Sequence, residues 1–161
     1  MTPGPYHDLC VNIGSQFSLP PDLLEAQMTE ESSGDRLAIR FEKHFWEEYR
    51  GKPTLRTPAV YGSFAACSLG LLQIMVETAY EIGFVGRPED LFVPETGLYW
   101  GARRMFHLLQ LAGNALKDYP AALAAYNGGP ELLKAPDSTH WPIGVVAYVN
   151  AIYKATGRTW A

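Results

Sequence analysis

Apolar positions recur at helical spacing in several separate stretches of this chain, and prolines and glycines punctuate them. The pattern predicts a first helix over Tyr6 to Phe17. A second opens at Pro20 and Pro21, where a missing N–H removes no needed donor, and Ser32, Ser33 and Gly34 end it. Leu37, Ile39 and Phe41 then alternate with Ala38, Arg40 and Glu42, a period of two that predicts a short strand, and a helical turn follows from Lys43 to Tyr49. Residues Gly51 to Ser68 lack sustained periodicity and hold Pro53, Pro58 and Gly62. They read as a long loop, a kind of segment that often carries function. Helical periodicity resumes over Gly70 to Ile82, Pro94 to Leu111, Pro120 to Tyr126 and Ile143 to Thr156, the last with Val145, Val146, Val149 and Ile152 as an inward stripe. The expectation is a mainly α fold, a single domain over residues 1–161, with a long loop or small β element between the second and third major helices.

Composition narrows the class without naming a chemistry. With 161 residues, 47% hydrophobic and 19% charged, the chain matches a globular domain. A chain of this length buries roughly 70% of the surface its unfolded form exposes, so it needs no metal or disulfide to hold a core. Cys10 and Cys67 are therefore expected as buried free thiols, with pairing in an oxidising compartment left open. Thirteen basic residues against seventeen acidic ones give a net charge of −4, and no basic run is present to track a phosphate backbone, so nucleic acid is not an expected partner. The apolar stretch from Leu69 to Met75 is far short of the ~20 residues that span a bilayer, and residues Met1 to Asp8 carry no secretory-signal pattern. The four histidines, His7, His44, His107 and His140, lack metal-ligand spacing. No metal or cofactor is expected. Ser63 lacks the glycine pattern of a nucleophile elbow. Of the four tryptophans, only Trp141 falls in a loop where a cleft is expected, the others reading as core.

One carboxylate conflicts with its helix. At ~100° per residue, setting Leu24 at zero puts Met28 at about +40°, Gln27 at about −60° and Glu31 at about −20°, in the middle of the apolar face. Glu30 falls at about −120° on the same wheel, at the margin where a side chain reaches water. A carboxyl held against apolar side chains is pushed toward its neutral form, the state a general acid needs. The ordinary alternative for Glu31 is an ion pair at a fraying helix end. Gln73 and the Tyr126–Asn127 pair before Gly128 and Gly129 offer the paired donors and acceptors that sugar hydroxyls require. Their ordinary alternatives are a hydrogen bond to a loop carbonyl and a plain helix stop.

Taken in order, Glu31-Ser32, then Ser68-x-Gly70-Leu71-Leu72-Gln73-Ile74-Met75 with Thr78-Ala79, then Ala125-Tyr126-Asn127-Gly128-Gly129-Pro130, then Ala147-Tyr148-Val149, these segments resemble the motifs of the soluble lytic transglycosylase (SLT) domain. The likeness runs from about Leu19 to Tyr153, and the stretch from Ile39 to Glu42 is similar to the phage and bacterial branch of the family. The resemblance implies a lysozyme-like fold and cleavage of the β-1,4 bond between N-acetylmuramic acid and N-acetylglucosamine. It gives Glu31 the part of the single catalytic acid, which then becomes the base that closes a 1,6-anhydro ring. It makes Ser32, Ser68, Gln73 and Met75 parts of the sugar-binding groove. Tyr126, Asn127 and Tyr148 are cleft groups by the same match.

Glu42 is the best of three candidates for a second carboxylate, ahead of Asp35 and Glu77, and an ion pair with Arg40 or Arg36 is its structural alternative. The acidic Glu30 departs from the neutral residue the family often has before its acid. Peptidoglycan glycan strands are the expected partner, with no membrane-spanning segment and a monomeric chain. The expected place of action is the cell wall, whether in the periplasm, outside the cell or as part of a phage particle or lysin. A hydrolytic muramidase and a non-catalytic wall-binding or tail module are the alternative readings.

Overall fold

The computed structural model describes residues 4–50, 60–112, 118–135 and 137–160. Seven α-helices among them are α1 (His7–Phe17), α2 (Pro21–Ser32), α3 (Lys43–Tyr49), α4 (Val76–Glu81), α5 (Pro94–Leu111), α6 (Tyr119–Gly128) and α7 (Ile143–Ala155). Three short strands, β1 (Ile39–Phe41), β2 (Cys67–Leu69) and β3 (Ile74–Met75), lie between α2 and α5 in the chain. The fold is mainly α with a small β element, as the periodicity predicts.

The second helix shows why. Pro21 takes its first position, and the Pro20 carbonyl accepts from the Leu23 and Leu24 N–H groups that a proline start leaves over. Ser33 (φ 54°) and Gly34 (φ 76°) then adopt left-handed backbone, which an α-helix cannot continue through. In α6, Asp118 caps the N-terminus by accepting from the Ala121 N–H at 3.2 Å, and Gly129, at φ 109°, stops the helix. The helix thus runs two residues past Tyr126 and includes Asn127 and Gly128.

Two compact units divide the chain, residues 31–101 and residues 1–30 with 102–161. In the second of these, α6 packs on α7, and Cys10, Leu23, Leu24, Met105, Leu108, Leu123, Val149 and Ile152 are among the buried side chains. Residues 31–101 hold the sheet, ordered β1-β2-β3 and antiparallel throughout. Cys67, Leu69, Ile74, Val76, Ala79, Phe84 and Leu91 form its core, with Phe64, Tyr80 and Trp100 packed against them. Both cysteines are buried free thiols, and burial pushes the Cys10 thiol up to about 12. No helix among the described residues is long and apolar enough to cross a membrane.

Two expectations need correction. The apolar run from Gly70 to Ile82 is not one helix: Gly70 to Gln73 is a turn, β3 follows, and only Val76–Glu81 is helical. Gly70 (φ 72°) and Gln73 (φ 46°) both lie in the left-handed region and fold β2 back onto β3. Leu71 and Leu72 are fully buried in that turn, so their hydrophobicity reports tertiary packing and not helical periodicity. The supposed loop from Gly51 to Ser68 is ordered in its latter part, with a 3-10 turn at Gly62–Ala66 leading into β2, so Ser68 is a strand residue. The rest of that loop, residues 51–59, lies outside the described residues. In β1 the alternation does mark a strand, yet Leu37, Ile39 and Phe41 are all exposed, because β1 is an edge strand.

Candidate active site

Glu31 and Ser32 close α2. Glu30 is exposed and Glu31 half-buried, so the two adjacent acids do meet different surroundings, although Glu31 is less enclosed than a position central to the apolar face implies. Ser32 Oγ donates to the Leu71 carbonyl at 2.8 Å. That bond ties the residue after the acid to the turn between β2 and β3.

The register of the sheet puts Arg40, Ser68 and Met75 side by side across the three strands. Glu42 follows Arg40 by two residues. Ser68 is 1% exposed and donates from Oγ to Glu42 Oε1 at 2.8 Å. Arg40 Nε donates to the same oxygen, also at 2.8 Å. The Glu42 carboxylate thus holds a buried hydroxyl and a guanidinium together, and its charge helps burial raise the Cys67 thiol above its ordinary range. The ion pair expected of Glu42 is formed with Arg40.

Gln73 Nε2 donates to the carbonyls of Ala38 and Gly70, both at 3.0 Å, and the Gln73 and Gly70 N–H groups reach Gly70 and Ala38 in the same way. This amide nitrogen is spent on closing the turn. Met75 is half-buried beside Ser68. The other two candidate carboxylates are placed differently. Asp35 is exposed and caps the Leu37 N–H through Oδ1 at 2.9 Å, while Glu77 is 5% exposed in the first turn of α4.

Within the unit of residues 1–30 and 102–161, Tyr126 is half-buried and Asn127 exposed at the C-terminal end of α6. Tyr148 is buried on α7. Gly128 allows this helix end its close packing: a Cβ there would stand 2.6 Å from Leu132 Cδ1 and 2.8 Å from Val145 Cγ2. The structure therefore joins Ser32, Glu42, Ser68, Gln73 and Met75 through one turn and one sheet, and sets Tyr126, Asn127 and Tyr148 on a packed helix pair.

Sequence reasoning passed over Gln27. It is 0% exposed, and neither its Oε1 nor its Nε2 has a hydrogen-bond partner among the described residues. It precedes Glu31 by one helical turn on α2. Its angle on the helical wheel, inside the apolar face, was the available signal. Among the described residues no group of three metal-ligating side chains is present.

Known families supply an independent comparison. The model of the family described as "Transglycosylase SLT domain" matches residues 9–139. No curated protein and no solved structure matches the chain.

Proposed function

Since the chain belongs to the transglycosylase SLT domain family, whose members act on peptidoglycan, we propose that it cleaves the β-1,4 bond after N-acetylmuramic acid with Glu31 as its acid and base. In this reading Glu31 enters protonated and gives its proton to the glycosidic oxygen as the C1–O bond breaks. The acetamido carbonyl of the same sugar steadies the electron-poor C1. The Glu31 carboxylate then takes the proton of the C6 hydroxyl, and O6 bonds to C1. The product is a 1,6-anhydro sugar, water is neither consumed nor released, and Glu31 regains its proton.

The observation that supports the single-carboxylate route is that the Glu42 carboxylate is tied into the sheet through Oε1. Hydrolytic glycosidases commonly need a second carboxylate as base or nucleophile. Glu42 Oε1 already accepts from Ser68 and Arg40, Asp35 Oδ1 caps a turn, and Glu77 is buried away from the solvent that a base would have to activate. Met75 is assigned to the sugar-binding surface, and Ser68 and Gln73 to the sheet and turn that shape it. Asn127, exposed and bearing both a donor and an acceptor, is assigned to a sugar substituent, as are Tyr126 and Tyr148 on the strength of their motifs.

Digestion of purified cell walls tests the reading. Wild-type protein is expected to release muropeptides lighter by one water than hydrolytic products, and Glu31→Gln to release none while still sedimenting with the wall. Reducing muramic acid ends would instead identify a hydrolase. Undiminished clearing by Glu31→Gln would remove Glu31 from the chemistry altogether.

A further inference from the structure

Residues of the unit formed by 1–30 and 102–161 line a half-open cavity of about 240 Å³ that the reaction above does not use. Trp141 and Trp160 form one wall, their rings stacked with centroids 5.5 Å apart and planes 23° from parallel. Leu132 and Leu133 supply apolar surface, and Asp118 and Asp137 supply two carboxylates. Among the described residues no lysine, arginine or histidine lines it.

The polar groups here are unevenly committed. The Thr139 hydroxyl, the His140 ring and the Thr139 N–H all reach the same oxygen of Asp137, Oδ1. Those bonds, the hydroxyl's first, hold the Asp137 carboxyl below the usual range and leave Oδ2 outside the network. Asp118 likewise uses Oδ1 for the α6 cap. Trp160 Nε1 donates to Asn150 Oδ1 at 3.1 Å. Trp141 Nε1 is shut away from solvent with no hydrogen-bond partner among the described residues, a loss that a small tilt toward a ligand carbonyl would repair.

We infer that this cavity binds a primary ammonium carried on an aliphatic stem, with Asp118 and Asp137 as its charge partners and the indole pair and leucines around its methylenes. Three features select that chemistry. Carboxylates that each keep a second oxygen outside the hydrogen bonds described above favour a positive head group. Indole faces attract an ammonium through the ring quadrupole. Apolar walls reward a chain of methylenes, which excludes a small inorganic cation as the natural occupant. Resting on the peptidoglycan reading for its source, the occupant is the uncrosslinked side-chain amine of a stem peptide, so the cavity would favour glycan strands whose peptides are not yet joined.

Calorimetry and tryptophan fluorescence with Nα-acetyl-lysine amide test the site directly. Saturable binding is expected, weakened about tenfold for the Nε-acetylated analogue, which keeps the stem and loses the charge. Asp137→Asn retains the cap on Thr139 and is expected to weaken lysine-amide binding about fivefold, while Glu31→Gln leaves it unchanged. Equal binding of the two amides, no saturation, or indifference to Asp137→Asn would overturn the site. Trp160→Leu, checked for folding by circular dichroism, should abolish the fluorescence response, and Asp137→Asn decides alone if that variant does not fold. Acetylating the free amines of purified walls is expected to lower wild-type affinity for them about fivefold without altering that of Asp137→Asn; no difference would overturn the stem-peptide source. Wall cleavage is scored separately, so lysine-amide binding without cleavage would overturn the peptidoglycan reading and leave the site standing.

Discussion

Ser68 Oγ donates to Glu42 Oε1 at 2.8 Å across 26 residues of chain, and this bond joins β2 to the segment that leads from β1 into α3. Because Ser68 is buried and Glu42 also takes Arg40, removing the hydroxyl leaves part of a carboxylate poorly satisfied. Ser68→Ala is expected to cost about 1–2 kcal/mol in urea unfolding, with a coupling to Glu42→Gln of about 1 kcal/mol in a double-mutant cycle. Glu42→Gln keeps an acceptor for Ser68, so its wall-cleaving rate should stay within about tenfold of wild type and its products should keep the anhydro ring. Complete loss of cleavage in a folded Glu42→Gln protein would return Glu42 to the chemistry.

Gln27 presents the opposite case, a buried amide with no bond to lose. Exchanging it for methionine, similar in length and apolar, should raise stability by about 1–3 kcal/mol, because the desolvation of the amide goes uncompensated in the folded chain. Thermal unfolding of Gln27→Met measures this. An unchanged or lower Tm would mean that the amide is satisfied in solution, for instance by an internal water.

Gly97 lies inside α5, where alanine ordinarily gains about 1 kcal/mol in helix propensity. Sterics reverse the sign here. A Cβ at 97 would stand 2.4 Å from the Leu91 carbonyl oxygen, and one at Gly70 would reach that same oxygen at 2.4 Å. Gly97→Ala should therefore destabilise by about 1–3 kcal/mol net. Gly144→Ala in α7, with nothing within 4 Å of the added carbon, should be neutral or stabilising, and equal effects at the two positions would refute the contact argument.

Arg158 pairs with both carboxylate oxygens of Asp22, one of them at 3.1 Å from Nη2. Its hydrogen bond holds the Asp22 carboxyl below the ordinary value of 3.8. A lowered folded-state value means that the pair's contribution is complete above the unfolded-state value and disappears as pH falls through the folded one. The two side chains are 52% and 33% exposed, so the effect is modest and weakened by salt. Asp22→Asn is expected to lower Tm slightly at neutral pH and to converge with wild type at the acid end of a pH series. A gap that widens on acidification would contradict the pairing.

Local spacing determined much of this protein without help from its fold. The helices α1, α2, α3, α5, α6 and α7, the stop at Ser33 and Gly34, the short strand before α3, and the contrast between Glu30 and Glu31 all follow from which residue types recur at 3.6 or 2 positions and from the backbone angles that proline and glycine permit. The ordered motifs from Glu31 to Tyr148 were legible for the same reason, since each keeps its residues close in the chain. Contacts between distant segments were not. The Gly70–Met75 hairpin looked helical because two leucines buried by tertiary packing mimic a helix face. The commitment of Glu42 to Ser68, the unpartnered amide of Gln27 and the stacking of Trp141 on Trp160 depend on chain closure, which brings together residues whose separation in sequence carries no periodic signal. Periodicity states that a side chain is turned inward; only the folded chain states what it meets there.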